Sequence, residues 1–139
     1  MYVLDTNVIS ELRKAKTGKA NAGVVAWGQA VPANEMFISA ITVMELETGV
    51  LQVSRRDPVQ GSILRKWLNE AVMPEFRGRV LSIDSAVAIR CAALHVPDPR
   101  QERDALIAAT ALIHGMTVIT RNVKDFEATG VPLFNPWVS

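Results

Sequence analysis

Three carboxylates occupy positions from which a folded chain could bring them together. Asp5 directly follows the apolar run 2–4, Glu45 lies one helical turn past the apolar run 36–38, and Asp104 opens the apolar helical segment ALIAATALI. Because the sequence places no cation beside them, their mutual repulsion would have to be relieved by protonation or by a bound metal. Oxygen ligands around an open site favour Mg²⁺ or Mn²⁺. Such a site is suited to metal-dependent hydrolysis of a phosphodiester.

The elements that would position these acids form an alternating pattern. Strand-like apolar runs alternate with amphipathic segments of helix length, which predicts an α/β fold with a central parallel sheet of about five strands flanked by helices. The predicted strands are 2–4, 36–39, 80–83, 116–120 and 132–134. The predicted helices are 7–14, 22–30, 42–54, 58–72, 85–94, 102–114 and 123–127. Ligands bind at the carboxyl ends of parallel strands, so we expect Asp5, Glu45 and Asn122 at one edge of the sheet.

Composition limits the classes of protein to which the chain can belong. Its 139 residues predict one domain, spanning 1–139, and no apolar run has the length of a membrane span. The single cysteine, Cys91, excludes an internal disulfide and predicts a reducing, cytoplasmic location. A net charge of +1 excludes a protein that coats nucleic acid through overall basicity, so any such contact must come from local clusters.

Each acid also has a purely structural interpretation. Asp5 could cap the first helix, and Glu45 could complete a capping box that begins at Thr42. Asp104 could be a charge favoured near a positive helix end, or the partner of Arg100 or Arg103. Glu47 is interpreted as a solvated neighbour of Glu45. The sequence leaves the structural and the catalytic interpretations of the three acids open.

The remaining polar residues are equally ambiguous. Asn122 could cap the short helix before Phe126, and Asp125, one turn further on, could be a surface charge. The histidines and the cysteine lack metal-ligand spacing and are interpreted as structural or solvated. Three arginine pairs are typical of solvated faces but could also hold phosphates. These pairs are Arg55 with Arg56, Arg77 with Arg79, and Arg100 with Arg103.

Taken together, five ordered motifs carry a resemblance to a known family. They are LDTNVISEL (4–12), SAITVMELETG (39–49), RDALIAATALIHG (103–115), VITRNVKDF (118–126) and FNPW (134–137). In this order and spacing the chain resembles the PIN-domain superfamily, and within it the VapC/FitB type of bacterial toxin ribonuclease. The resemblance runs nearly end to end. It implies an endoribonuclease that uses Mg²⁺, with Mn²⁺ as a substitute, and leaves a 5′ phosphate and a 3′ hydroxyl.

The resemblance also implies roles for individual residues. Asp5, Glu45 and Asp104 match the acidic site residues of the family, with Asp5 and Asp104 binding the metal and Glu45 holding it or orienting the attacking water. Family members commonly place a fourth acid where this chain has Asn122. We therefore expect Asn122 and Thr6 to shape the water network around one tightly held metal. The nearby Asp125 is a possible accessory ligand.

The partners are implied by the same resemblance. It implies a VapB- or FitA-like antitoxin that blocks the site, a homodimer within a larger toxin–antitoxin assembly, and promoter DNA bound only through the antitoxin. Two other classes of function stay open at this point. One is a haloacid-dehalogenase-like phosphoryl-transfer domain, although Asn7 stands where that chemistry needs a second acid. The other is an inert binding module whose carboxylates are helix caps.

Overall fold

The computed structural model describes residues 1–138, and at its centre is one parallel sheet. The strands are β1 (Tyr2–Leu4), β2 (Met36–Ser39), β3 (Val80–Leu81), β4 (Thr117–Ile119) and β5 (Leu133–Phe134). Their order across the sheet is β3-β2-β1-β4-β5, and every neighbouring pair is parallel. In the central strand, Val3 is in register with Phe37 on one side and Val118 on the other. The predicted α/β fold with about five parallel strands is confirmed.

Helices connect the strands and cover the sheet. They are α1 (Thr6–Arg13), α2 (Ala22–Ala30), α3 (Ala40–Arg56), α4 (Pro58–Trp67), α5 (Met73–Glu75), α6 (Ser85–Leu94), α7 (Glu102–His114) and α8 (Val123–Phe126). The predicted helix 58–72 is present as α4 followed by a π-helical turn, Leu68–Val72. Asp57 caps α4 through its side chain, and Gly115 ends α7 at a φ of 66°. Both ends were predicted from these residue types.

The core is divided between the two faces of the sheet. Leu4, Ile38 and Ile119 pack in one cluster, whereas Val3 and Val118 pack in another. Successive side chains of a strand point to opposite faces, so neighbouring residues of β1 and β4 enter different clusters. Strands buried on both sides have nearly continuous apolar sequences, which is why these short runs were recognisable.

Helices α3 and α4 form a tight hairpin beside the sheet. Arg65 donates to both carboxylate oxygens of Glu47, at 2.6 Å each. Gly61 faces Ser54 so closely that a Cβ at position 61 would overlap it. Glu47 is a solvated neighbour of Glu45, as interpreted from the sequence, and its exposed ion pair with Arg65 also joins the two helices. Within residues 1–138, no helix combines the length and the apolarity that crossing a bilayer requires.

Candidate active site

Asp5 lies at the carboxyl end of the central strand, where α1 begins. Its side chain is only 6% exposed. One oxygen, Oδ1, accepts from the backbone N of Thr6 at 2.8 Å, so Asp5 does cap α1. The other, Oδ2, accepts from Thr120 Oγ1 at 2.8 Å and from Asn7 Nδ2 at 3.3 Å. Capping therefore involves one oxygen, while the second takes part in a buried polar network.

The environment of Asp5 works against its ionisation. Burial is the largest influence and raises the pKa of this carboxyl above its ordinary value. Hydrogen bonds from Thr120 and Thr6 act in the opposite direction, and repulsion from Glu45 and Asp125 adds to the increase. Hydrogen-bond donors thus hold the Asp5 carboxylate in place, but no positively charged group is among the influences on its pKa.

Glu45 faces the same site from α3. Its Oε1 accepts from Thr6 Oγ1 at 2.7 Å, and its Oε2 lies 3.6 Å from an Arg103 guanidinium nitrogen. The capping-box interpretation of Glu45 is wrong because α3 begins earlier than predicted. Ser39 is the N-cap and accepts from the backbone N of Ile41 at 3.0 Å. Glu45 is consequently one turn too far into the helix to cap it.

Asp104 arrives from the first turn of α7. Burial raises the pKa of its carboxyl to about 6, with further increases from Asp5, Asp125 and Glu45, in that order. All four influences act in one direction. Arg100 and Arg103 were predicted as possible partners, but Arg103 approaches Glu45 instead, and within residues 1–138 Asp104 forms an ion pair with neither. Its charge is left uncompensated beside the other acids.

A fourth acid joins the group from α8. Asp125 repels both Asp5 and Asp104, and with Asp104 it lines an open cavity of about 490 Å³. Asn122 precedes the same helix, but its side chain makes no capping hydrogen bond. Instead its backbone N donates to Thr120 Oγ1 at 3.0 Å. Within residues 1–138 the interpretation of Asn122 as a side-chain cap is wrong, whereas Asp125 is an exposed surface charge, as interpreted, that also acts on the site.

Two residues of the polar network were not predicted from the sequence. Thr120 is fully buried and donates to Asp5, and Asn7 Nδ2 lies 3.4 Å from Thr120 Oγ1. Asn7 also accepts from the backbone N of Arg121 at 3.4 Å. Their signal was positional, since each comes within three residues of the end of a buried strand. The sequence drew attention to Asn7 only because a haloacid-dehalogenase-like enzyme would have an acid at that position.

The donor set fits a hard divalent cation. Asp5, Glu45, Asp104 and Asp125 supply only oxygen, and burial, with a smaller contribution from their mutual repulsion, raises the pKa of Asp5 and of Asp104. A bound cation would reverse this influence. The acids are gathered rather than preassembled, because within the described part of the chain no three His, Cys, Asp or Glu side chains already form a metal-binding group.

Comparisons with known proteins agree with this geometry. The family model described as PIN domain matches residues 2–131. The chain is 39% identical to a VapC ribonuclease of Sinorhizobium fredii, over 99% of this chain and 98% of that protein. It is 38% identical to the toxin FitB of Neisseria gonorrhoeae, over 99% of both chains. A solved structure of FitAB bound to a DNA fragment superposes with a TM-score of 0.89 at 35% identity, covering 100% of this chain and 97% of that one.

Proposed function

The chain belongs to the PIN domain family, as its five motifs predicted, and on that premise we propose that it is a metal-dependent endoribonuclease that acts as a toxin. The reaction is hydrolysis of an RNA phosphodiester. The observation that supports the proposal is that Thr6 binds both Asp5 and Glu45, while Asp104 and Asp125, from two further elements, line one cavity. A divalent cation bound during the reaction would neutralise the repulsion between these carboxylates.

We assign the metal to Asp5, Glu45 and Asp104, with Asp125 as the fourth acid in place of the one missing at position 122. Mg²⁺ is the proposed ion, and Mn²⁺ its substitute, because all the donors are oxygens. When bound, such an ion polarises a phosphoryl oxygen and lowers the pKa of bound water. Three carboxylates, with the exposed Asp125 as a fourth, supply enough charge for one tightly held ion, and we propose one.

The protein residues around the acids have separable tasks. Thr120 and Asn7 fix Oδ2 of Asp5, and Thr6 fixes Oε1 of Glu45, so that both carboxylates are oriented before substrate arrives. Arg103, beside Glu45, is half exposed and leaves that carboxylate accessible to water. Asn122 is proposed to position water through its amide. Substrate RNA is left with a 5′ phosphate and a 3′ hydroxyl in this scheme.

The two other classes considered from the sequence are not supported. A phosphoryl-transfer domain needs an acid at position 7, whereas Asn7 donates its amide to Asp5. An inert module would use its carboxylates as caps, yet Glu45 caps nothing and Asp104 is unpaired within residues 1–138. The nuclease is therefore the function that the geometry supports best.

The proposed partner is an antitoxin of the VapB or FitA kind. A carboxylate cluster in an open cleft suits a guanidinium, and an inserted arginine would compete with the metal. Promoter DNA is proposed to bind through the antitoxin, since this chain has a net charge of only +1. A homodimer, a larger assembly and a cytoplasmic site of action stay predictions.

Expression in a bacterial host tests the biological part of the proposal. Induction of the chain alone should arrest growth, and co-expression of the small reading frame encoded beside it should restore growth and yield a stable complex. Asp104→Asn should be harmless at equal expression. If the wild-type chain does not arrest growth, or if the neighbouring protein neither binds nor rescues, the toxin assignment is wrong.

A further inference from the structure

Arg100 stands on the wall of the acidic cavity. The residues lining the cavity are Pro99, Arg100, Gln101, Asp104 and Asp125. Arg100 precedes α7 by two residues, so the segment that delivers the Asp104 carboxylate also delivers this guanidinium. A positive and two negative groups therefore share one open space of about 490 Å³.

The guanidinium of Arg100 is unusual in having a buried donor with nothing to bind. Among the buried side-chain nitrogens and oxygens of residues 1–138, its Nε is the one that has no hydrogen-bond partner. The other partly buried arginines are engaged: Arg65 with Glu47, and Arg79 with the backbone oxygens of Met36 and Glu75. A buried donor without an acceptor destabilises the protein, so the guanidinium of Arg100 is held beside the cavity at a cost in stability.

The backbone of Arg100 is held in position. Its N–H donates to Nδ1 of His95 at 3.0 Å. The residue before it is Pro99, whose ring fixes the backbone angle φ at that position. His95 is itself next to the buried Cys91, with Nε2 and Sγ 3.7 Å apart. This anchoring keeps the side chain beside the cavity, where a flexible loop would let it turn outward into water.

The charge of Arg100 is not paired with the neighbouring acids. Arg100 forms no ion pair within the described residues, and the pKa of Asp104 is raised rather than lowered. Its charge is therefore not used to neutralise the cluster. RNA must bring a phosphate toward four carboxylates that repel it, and a planar fork of donors matches phosphate oxygens well.

We propose that Arg100 binds a backbone phosphate of the RNA substrate in this cavity, directly beside the acids that perform the hydrolysis. The assignment rests on the proposed nuclease function. Arg100 is then a substrate-binding residue, distinct from Arg103, which lies against Glu45. The terminal nitrogens of the guanidinium donate to the phosphate, and the charge of Arg100 offsets the repulsion between RNA and the acidic cluster.

The test compares Arg100→Met with Arg90→Met in the purified full chain. Arg90 is exposed on α6 and makes none of the hydrogen bonds or ion pairs found in residues 1–138, so its variant controls for the loss of one positive charge. Binding of a fluorescein-labelled single-stranded RNA is measured in EDTA by anisotropy across a series of salt concentrations. Cleavage kinetics of the same RNA are measured with Mn²⁺.

We expect Arg100→Met to raise both Kd and KM for the RNA about tenfold, with a smaller change in kcat, while Arg90→Met matches the wild type. The slope of log affinity against log salt should become shallower by about 0.7, the value for one lost contact with single-stranded RNA. Arg100→Lys should be intermediate, because it restores the charge without the planar fork. The melting temperature of the free Arg100→Met protein should be unchanged or higher, since the variant removes an unsatisfied buried donor.

Each contrary result has a defined meaning. If wild type cleaves RNA and Arg100→Met behaves like Arg90→Met, the phosphate assignment is wrong and the nuclease proposal stands. A lowered melting temperature with an unchanged salt slope would make Arg100 structural and overturn the assignment. Normal RNA cleavage with lost antitoxin rescue would assign Arg100 to the protein partner instead. If wild type neither binds nor cleaves RNA, the nuclease proposal fails and this assignment fails with it.

Discussion

Thr6 Oγ1 lies 2.7 Å from Glu45 Oε1, and this contact joins the first turn of α1 to the second turn of α3. The same hydroxyl lies 3.3 Å from Thr42 Oγ1, which is fully buried. Thr6 is also the residue whose backbone N binds Asp5. One residue therefore orients two of the proposed metal ligands, through its backbone and its side chain respectively.

Replacing Thr6 tests this orienting contact. Thr6→Val keeps the shape of the side chain and the backbone bond to Asp5 but leaves Glu45 Oε1 without its donor. A hydrogen bond to a charged group contributes about 1.5–3 kcal/mol, so kcat/KM for RNA should fall about tenfold to a hundredfold. Thr48→Val, in the same helix α3, is the control because among residues 1–138 its hydroxyl binds only the backbone O of Met44. Equal kinetics of the two variants would show that Thr6 does not orient Glu45.

The raised pKa of Asp104 predicts how the metal-free protein responds to pH. Its folded value is about 6, against an ordinary value of 3.8. Between these values the folded state binds more protons than the unfolded state, so the contribution of Asp104 to stability is present below about pH 4 and is lost as pH rises through 6. In EDTA, the melting temperature of wild type should therefore decline over this range relative to that of Asp104→Asn.

The informative quantity is the difference between the two melting curves, because other acids titrate in both proteins. Asp104→Asn should be at least as stable as wild type at pH 7 and lose its advantage near pH 4. Parallel pH profiles would mean that Asp104 ionises without cost in the folded protein.

The fourth acid can be identified by measuring metal affinity. Asp125→Asn should weaken Mn²⁺ binding in calorimetry, because it removes a charge that repels both Asp5 and Asp104 and would attract a cation. Asn122→Asp should strengthen binding and allow activity at lower metal concentration, since it restores a charge at the family's usual fourth position. Lys124→Gln, on the same short helix, is the control. If Asp125→Asn and Asn122→Asp both bind Mn²⁺ with the affinity of wild type, α8 and the residue before it do not contribute to the metal site.

Two glycines of the α3–α4 hairpin should respond oppositely to the same substitution. Gly61→Ala forces a Cβ against Ser54 and should lower the free energy of unfolding by about 1–3 kcal/mol. Gly49→Ala, in α3, meets no atom within 4 Å and should raise it by about 0.5–1 kcal/mol. Urea unfolding in EDTA measures both. Similar changes of one sign would contradict the close approach of the two helices at Gly61.

Local sequence signals predicted much of the fold because the strands are short buried runs with clear ends. Asp5 and Glu45 were predicted at one edge of the sheet because the residues after parallel strands emerge at a common edge. The contacts that define their environment join distant parts of the chain: Thr120 binds Asp5 from 115 residues away, and Arg65 binds Glu47 from 18. No local pattern encodes such pairs.

The errors have the same origin. Thr42 and Glu45 have the spacing of a capping box. The N-cap is Ser39 instead, because β2 ends at Ser39 and α3 begins directly after it. Thr42 is then buried within the helix instead of beginning it. The departure at Asn122 suggested a missing charge, whereas the structure brings Asp125 into the electrostatics of the site. Asp125, one turn away, was already named from the sequence as a possible accessory ligand, and it is the proposed replacement.

The most direct test of the account is RNA cleavage by the purified chain, free of antitoxin, with Mg²⁺, with Mn²⁺ and with EDTA. We predict cleavage of structured RNA with either metal, none in EDTA, and 5′-phosphate products. Asp5→Asn, Glu45→Gln and Asp104→Asn should each abolish cleavage while remaining folded, since each removes a charge from a repulsive cluster. Cleavage that persists in EDTA, or that survives in all three variants, would contradict the proposed metal-dependent site.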